Sequence, residues 1–381
     1  MPDGRPDLAG RQTFLLGWAG FEGSPFLMKR IIALLTLAGT VLLSQAKEGK
    51  KLWLEFKGNE GPGSGQHIVL MSGDEEYRSE ESMPMLGKIL ARRHGFKCTV
   101  LFSWDRKNDY LNPNNASGVR GWEKLDEADL LIIGTRMREP SAEEAAYLTK
   151  FMDAGKPIIG FRTATHAFKG KGQFGGKIPF QDWGLKILGE TWVNHHGDHM
   201  RQGARAVVVE DKKTHPVLNS VAEIFGPSDV YGVKNLTDQN EILLLGEVTK
   251  TMAPDSEAVP GKKNDPMMPL AWLHEYESPA GTKGKSFCTT MGASVDFLSE
   301  DLRRLIVNAS YYLLGIDVPD QADVAYVDPY YPSFYGFYNG ERAKLWKKRN
   351  MQAEDVGWGK SPAYPDPPNG PEWNHRPVKK D

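Results

Sequence analysis

Only two cysteines occur in 381 residues, Cys98 and Cys288. Two are too few for a disulfide scaffold, and their separation does not suggest a zinc ribbon. They read as two buried, unpaired strand thiols, with a single bridge in an oxidising compartment as the alternative. An excess of either charge is also missing: 47 basic residues stand against 49 acidic ones, for a net charge of −2. The sequence therefore carries no electrostatic footprint for DNA or RNA, and no nucleic-acid partner is expected. No G-x-S-x-G nucleophile elbow occurs, and no G-x-G-x-x-G opens a helix, so neither a serine hydrolase nor a dinucleotide cofactor is supported. Gly 40 and Pro 25 disfavour a helical bundle, while 40% hydrophobic and 25% charged residues are ordinary for a globular chain.

The one apolar run that needs an account is Ile31 to Leu43, which carries no charge. It is shorter than the ~20 residues a bilayer-spanning helix needs, so no permanent membrane span is expected. Met28-Lys29-Arg30 precedes it and Ser44-Gln45-Ala46 follows with small residues at the cleavage positions. That three-part layout reads as a secretory signal peptide cleaved near Ala46. Residues 1–27 are patternless and Met28 makes a better start, so the upstream stretch reads as a gene-start artefact. The mature protein is then expected to begin near Lys47 and to be exported, to a periplasm or medium.

Beyond Lys47 strand and helix patterns alternate. Gln66–Gly73 reads as a buried strand, Ser82–Arg93 as a helix, Phe96–Phe102 as a second strand and Asp129–Gly134 as a third. Ser141-Ala142-Glu143-Glu144 is a capping box that opens a helix to about Ala154. Pro157–Phe161 is a fourth strand, with later strands at 206–209, 242–246, 270–272 and 286–290 and a last helix over Asp301–Leu314. This alternation predicts an α/β fold with a doubly wound, mostly parallel sheet. In such folds the ligand sits beyond the carboxyl ends of the strands. The loops to read are therefore Asp74, Glu76 and Arg78 after the first strand, and Arg162, Thr163 and His166 after the fourth. Their mixed charges suit a polyhydroxylated or carboxylated ligand.

The densest chemical cluster is Trp192-Val193-Asn194-His195-His196-Gly197-Asp198-His199. Imidazoles titrate near neutrality and serve as general acids and bases. His195 and His199 also have a metal-like i, i+4 spacing, but Gly197 argues for a loop and no second ligand cluster follows. The reading is a metal-free site with no cofactor. His195, His196, His199 and His166 are the catalytic candidates; Asp74, Glu76, Arg78, Arg162, Thr163, Trp192 and Asp198 are the ligand-binding ones.

The order of segments resembles the ThuA-like (trehalose-utilisation) proteins of the class I glutamine amidotransferase-like superfamily. The resemblance spans roughly His67 to Gly315. Its anchors are Glu76-Tyr77-Arg78-Ser79-Glu80, Gly160-Phe161-Arg162-Thr163-Ala164-Thr165 and Asp211-Lys212-Lys213-Thr214-His215-Pro216-Val217. The most specific pair is Pro269-Leu270-Ala271-Trp272 through Glu275-Tyr276, followed by Gly284-Lys285-Ser286-Phe287-Cys288-Thr289-Thr290-Met291-Gly292. The resemblance implies a flavodoxin-like three-layer sandwich without the amidotransferase cysteine, and a role around sugar metabolism. Where the family often carries histidine, this chain has Ser79, Arg162 and Ala293, so His166, His195, His196 and His199 would have to substitute.

From Pro319 onward the alternation stops, yet Tyr326, Tyr330, Tyr331, Phe334, Tyr335, Phe337 and Tyr338 crowd together. Disordered tails are normally poor in aromatics. The reading is an extended C-terminal arm packed on the body or on a partner subunit of a homo-oligomer, with a short helix over Glu341–Arg349. The chain thus divides into 1–46, 47–318 and 319–381. Two functional expectations stand together: an exported carbohydrate-active enzyme, or a binding or scaffold protein that kept the fold and lost the chemistry.

Overall fold

A computed structural model describes residues 50–362; the expected signal peptide and the last residues of the Pro-rich tail lie outside them. The strands are β1 (Trp53–Phe56), β2 (His67–Gly73), β3 (Lys97–Leu101), β4 (Leu130–Thr135), β5 (Ile158–Phe161), β6 (Gln173–Phe174), β7 (Ile178–Pro179), β8 (Ala204–Val208), β9 (Phe225–Gly226), β10 (Asn240–Val248), β11 (Met268–Glu277) and β12 (Lys283–Thr289). The α-helices are α1 (Ser79–His94), α2 (Ala142–Asp153), α3 (Glu300–Leu313) and α4 (Lys344–Arg349).

Ten strands form one sheet in the order β1-β3-β2-β4-β5-β12-β11-β10-β8-β9, while β6 and β7 pair separately. The centre, β3-β2-β4-β5-β12, is parallel. The flanks are antiparallel, so the expected mostly parallel sheet is corrected to a mixed sheet with a parallel core. The reason is connection length. Only Ser278–Thr282 separates β11 from β12, closed by a Ser278 N–H to Thr282 carbonyl bond of 2.9 Å. That link is too short for a crossover, which takes a dozen residues or more.

Every residue of β2 and β4 is buried, as two-faced burial of a parallel strand requires. Ile68, Leu70, Ile132 and Ile159 pack with Leu86 and Ile89 of α1 and with Leu302 and Ile306 of α3. The alternate residues Val69, Met71, Leu131 and Ile133 pack with Ala145, Leu148 and Phe151 of α2. Each such aliphatic side chain contributes about 1.5–3 kcal/mol on burial. Helix α2 starts as its sequence dictates: Glu144 N–H donates to Ser141 Oγ at 3.2 Å and Ser141 N–H donates to Glu144 Oε2 at 2.8 Å. Helix α1 begins three residues before the apolar periodicity does, because Arg78 at φ 63° turns the chain and Glu80 and Glu81 fill its first turn. Cys98 and Cys288 are buried and unpaired, one in each apolar cluster. Among the described residues no helix is long and apolar enough to cross a membrane.

Residues 319–339 form neither helix nor strand, and a short helical stretch ends in α4. Tyr330, Phe334, Tyr335 and Tyr338 are all buried. Ser333 donates its N–H at 2.9 Å and its hydroxyl at 2.6 Å to the carboxyl of Glu81. Tyr330 donates to the Ser294 carbonyl at 2.9 Å.

Candidate functional site

The loops that follow β2 and β5 leave the carboxyl ends of the two parallel-core strands that flank β4. Asp74 fixes the first loop by accepting from Glu76 N–H at 2.7 Å and Tyr77 N–H at 3.0 Å. Its other oxygen accepts from Thr163, which ties the first loop to the second. Asp74 and Thr163 are thus buried braces between the two loops. Beside this brace Ser79 Oγ accepts from Gly73 N–H at 3.1 Å.

The centre of the group is a residue that sequence reading missed, Asp229. It is 1% exposed. Its Oδ1 accepts from Arg162 at 2.9 Å and from His199 Nδ1 at 3.0 Å, and its Oδ2 accepts from His195 Nδ1 at 2.7 Å. Arg162 also donates to the Asp229 carbonyl at 2.6 Å, the Thr290 carbonyl at 2.9 Å and the Tyr77 hydroxyl at 3.1 Å. Its guanidinium lies 3.8 Å from the ring centre of Tyr231 and 4.5 Å from that of Tyr77. Arg162 directly follows β5 with φ 50°, a left-handed conformation that costs a non-glycine residue about 1–2 kcal/mol. The strand-to-helix turn therefore has the sharp geometry of a nucleophile elbow, with an arginine in the nucleophile's place.

The electrostatics follow from these contacts. Burial works to raise the Asp229 carboxyl, but Arg162, then His195 and His199, hold it well below the usual range. An ionised Asp229 only accepts, so His195 donates to it through Nδ1, and His195 Nε2 has no hydrogen-bond partner among the described residues. His199 differs. Its Nε2 faces Glu76 Oε1 at 3.2 Å while Nδ1 faces Asp229, so both nitrogens donate to carboxyl groups. Burial opposes its charge, yet the bonds and charges of Asp229 and Glu76 raise it to about 9. His166 goes the other way: burial, then Arg136, Arg162 and His195, push it down to about 3, and it is neutral. The Trp192 ring lies 5.9 Å from His166 and 5.7 Å from His195 and is 40% exposed.

His195, His199, Glu76 and Arg162 are therefore drawn together, with His166 and Trp192 adjoining them. Three other expected members lie elsewhere. His196 Nε2 bonds to the Lys263 carbonyl at 2.8 Å, and Asp198 is an exposed partner of Lys263 at 3.3 Å; together they pin the 261–265 turn. Arg78 is fully buried, 4.4 Å from the ring centre of Tyr338 and 5.3 Å from that of Trp346, and donates to the Gly336 carbonyl. It anchors the C-terminal residues, because a left-handed turn at position 78 aims its side chain away from the histidines.

The donor atoms of His195, His199 and Asp229 lie within 4.8 Å of one another, close enough to surround a metal ion. Their chemistry fits a proton network better. Asp229 is already neutralised by a buried guanidinium, and both His199 nitrogens are engaged by carboxyl groups.

A sequence profile described as ThuA, trehalose utilisation, matches residues 68–313. The chain belongs to the ThuA family. Among solved structures, a ThuA-like protein of Bacteroides uniformis is 16% identical, covers 67% of this chain and 94% of its own, and has a TM-score of 0.43. One from Parabacteroides merdae is 13% identical over 67% of this chain and 92% of its own, with a TM-score of 0.46. The glutaminase domain of Trypanosoma brucei CTPS is 9% identical over 68% of this chain and 98% of its own, with a TM-score of 0.33. No curated protein matches the chain. Of the three positions where ThuA proteins were expected to carry histidine, Ser79 and Arg162 brace the site and Ala293 packs with Tyr77 and Tyr335.

The titrations make a stability prediction. His199 is raised in the fold, and so are the buried carboxyls of Glu81 and Glu80, through burial first and then, for Glu81, the neighbouring Glu80 charge. A raised group holds extra protons in the native state, so its contribution is complete below its unfolded value and is lost as pH rises through the folded one. The lowered histidines, His166 among them, work the other way as pH rises toward 6.5, so thermal unfolding midpoints are expected to fall from about pH 7 to about pH 9. Glu81→Gln should flatten the part of that slope near the folded value of Glu81, about 8. A midpoint that rises over this interval would contradict the assignment.

Proposed function

We propose that this ThuA-family chain is an exported protein that binds and transforms a carbohydrate or sugar derivative at the carboxyl ends of the parallel strands. The Asp229–His195 pair is its acid–base couple. The observation that carries the reading is the Asp229–His195 pair: a buried, ionised acceptor fixes the His195 ring through Nδ1, and the ring lies next to a partly exposed tryptophan. A tryptophan face suits the apolar side of a sugar ring, and the mixed polar groups around it suit hydroxyls. His199 supplies fixed positive charge and His166 a neutral imidazole. Covalent catalysis by cysteine has no support here, since both thiols are buried in strands and pushed upward by burial.

The test is incubation of the protein with trehalose and a panel of unmodified and oxidised disaccharides, followed by mass spectrometry. A mass change or released monosaccharide is expected with the wild type and not with His195→Ala. Saturable binding with no product would assign the protein as a sugar-binding module instead. Export is tested separately by the N-terminal sequence of the extracytoplasmic protein, expected near Lys47. Retention of Lys29–Ala46, or purely cytosolic protein, would reject it.

A further inference from the structure

Near the histidines the molecule has one wall that does not come from the strand-end loops. Gly336 N–H donates to the Glu76 carbonyl at 2.8 Å, and the Gly336 carbonyl accepts from Arg78. This two-way lock holds both sides of Tyr77. Tyr335, fully buried, places its ring centre 5.0 Å from that of Tyr77 and 5.4 Å from that of His199. Its hydroxyl donates to the Pro227 carbonyl at 3.3 Å, two residues before Asp229. Phe337 carries the guanidinium of Arg136 4.9 Å from its ring centre, and Arg136 reaches Glu76 Oε2 at 3.6 Å. The same short stretch therefore touches the loop that supplies Glu76 and the loop that supplies Asp229, the two acidic partners of His199.

We propose that residues 333–338 are a positioning element of the histidine site, with Tyr335 wedged between the 74–78 and 227–231 loops so that Glu76 and Asp229 close on His199 together. The inference rests on the reading of this group as a working site, yet its geometry stands without any ligand. The groups that face His199 are Glu76 and Tyr77 from one loop, Asp229 from another, and His195 and Tyr335 from their own segments. Tyr335 bears no charge at neutral pH, since burial pushes its hydroxyl far up, so its effect on His199 is exerted by placing the two carboxyl groups. A ring of this size, once removed, leaves a void that flanking loops fill by moving.

The experiment reads His199 directly, by NMR titration of histidine-labelled full-length protein. Tyr335→Leu is expected to lower the His199 midpoint from about 9 by at least a full pH unit, whereas Tyr335→Phe, which keeps the ring, leaves it in place. Tyr326→Phe removes the bonds of that hydroxyl to Arg303 and the Phe297 carbonyl, earlier in the same C-terminal run, and serves as the structural control. It should reduce thermal stability with no movement of His199. The proposal is overturned if folded Tyr335→Leu titrates as the wild type does, or if the control shifts His199 equally. Should Tyr335→Leu fail to fold, Tyr335→Met gives the same reading with more of the volume kept. Because no sugar enters the measurement, failure of the carbohydrate reading and failure of this inference are seen separately.

Discussion

Replacing Arg162 by methionine will destabilise the protein by about 3–5 kcal/mol, the usual cost of breaking a buried ion pair from one side. The magnitude comes from what is left behind rather than from the pair itself. Asp229 would stay buried with two imidazoles but without the guanidinium that bonds both its side chain and its carbonyl. The rings of Tyr77 and Tyr231 would lose the cation they enclose. Arg162→Lys restores the charge but cannot reach the side chain, two carbonyls and the Tyr77 hydroxyl at once, so an intermediate loss is expected. The sharper check is a double-mutant cycle by denaturant unfolding. Arg162→Met with Asp229→Asn should be more stable than the sum of the two single losses predicts, since the second change removes the stranded charge. Simple additivity would show that the two residues do not act as one unit.

The parts of this architecture that the sequence announces are those with local causes. The capping box of Ser141 and Glu144, the continuous apolar runs of β2 and β4, and the glycine turn that ends α1 at Gly95 each follow from residues close in the chain. The antiparallel flank was less visible, because alternating strands read alike whichever neighbour they pair with; only the short link from β11 to β12 betrays the direction. In the site, the cluster around His195 was conspicuous by composition, and Arg162 by its place after β5. Asp229 was not, for it sits in Pro227-Ser228-Asp229-Val230-Tyr231 with no motif and meets its partners only through tertiary packing. Arg78 misled for the complementary reason. It follows the right strand, but one left-handed residue sends its side chain to Tyr338 and Trp346. The aromatic run near residue 335 stands out by composition, and its contact with His199 lies beyond the reach of any local pattern.

Asp229→Asn should abolish the acid–base couple while leaving the fold in place, and the reason is a matter of counting donors. The carboxylate accepts three side-chain bonds, from Arg162, His195 and His199. A carboxamide of the same shape has one accepting atom and one donating atom. Arg162 and His199 both bond Oδ1, so the asparagine oxygen is held on that side and its NH₂ must face His195 Nδ1. A donor there requires His195 to present a lone pair at Nδ1 and to carry its proton on Nε2. Nitrogen-detected NMR should therefore show that the variant has lost the His195 Nδ1 proton that the wild type directs at Asp229. The His199 midpoint should also drop from about 9, since one of the two carboxyl groups that raise it is gone. Turnover of any substrate found by the disaccharide panel should fall by roughly 10⁴, the scale of loss when a buried aspartate that fixes a catalytic imidazole becomes asparagine. Glu76→Gln offers the contrast: it should lower the His199 midpoint yet leave the His195 Nδ1 proton in place, because of these two histidines Glu76 bonds His199. A His195 proton that stays on Nδ1 in Asp229→Asn would remove Asp229 from the chemistry and leave it a structural anchor for Arg162.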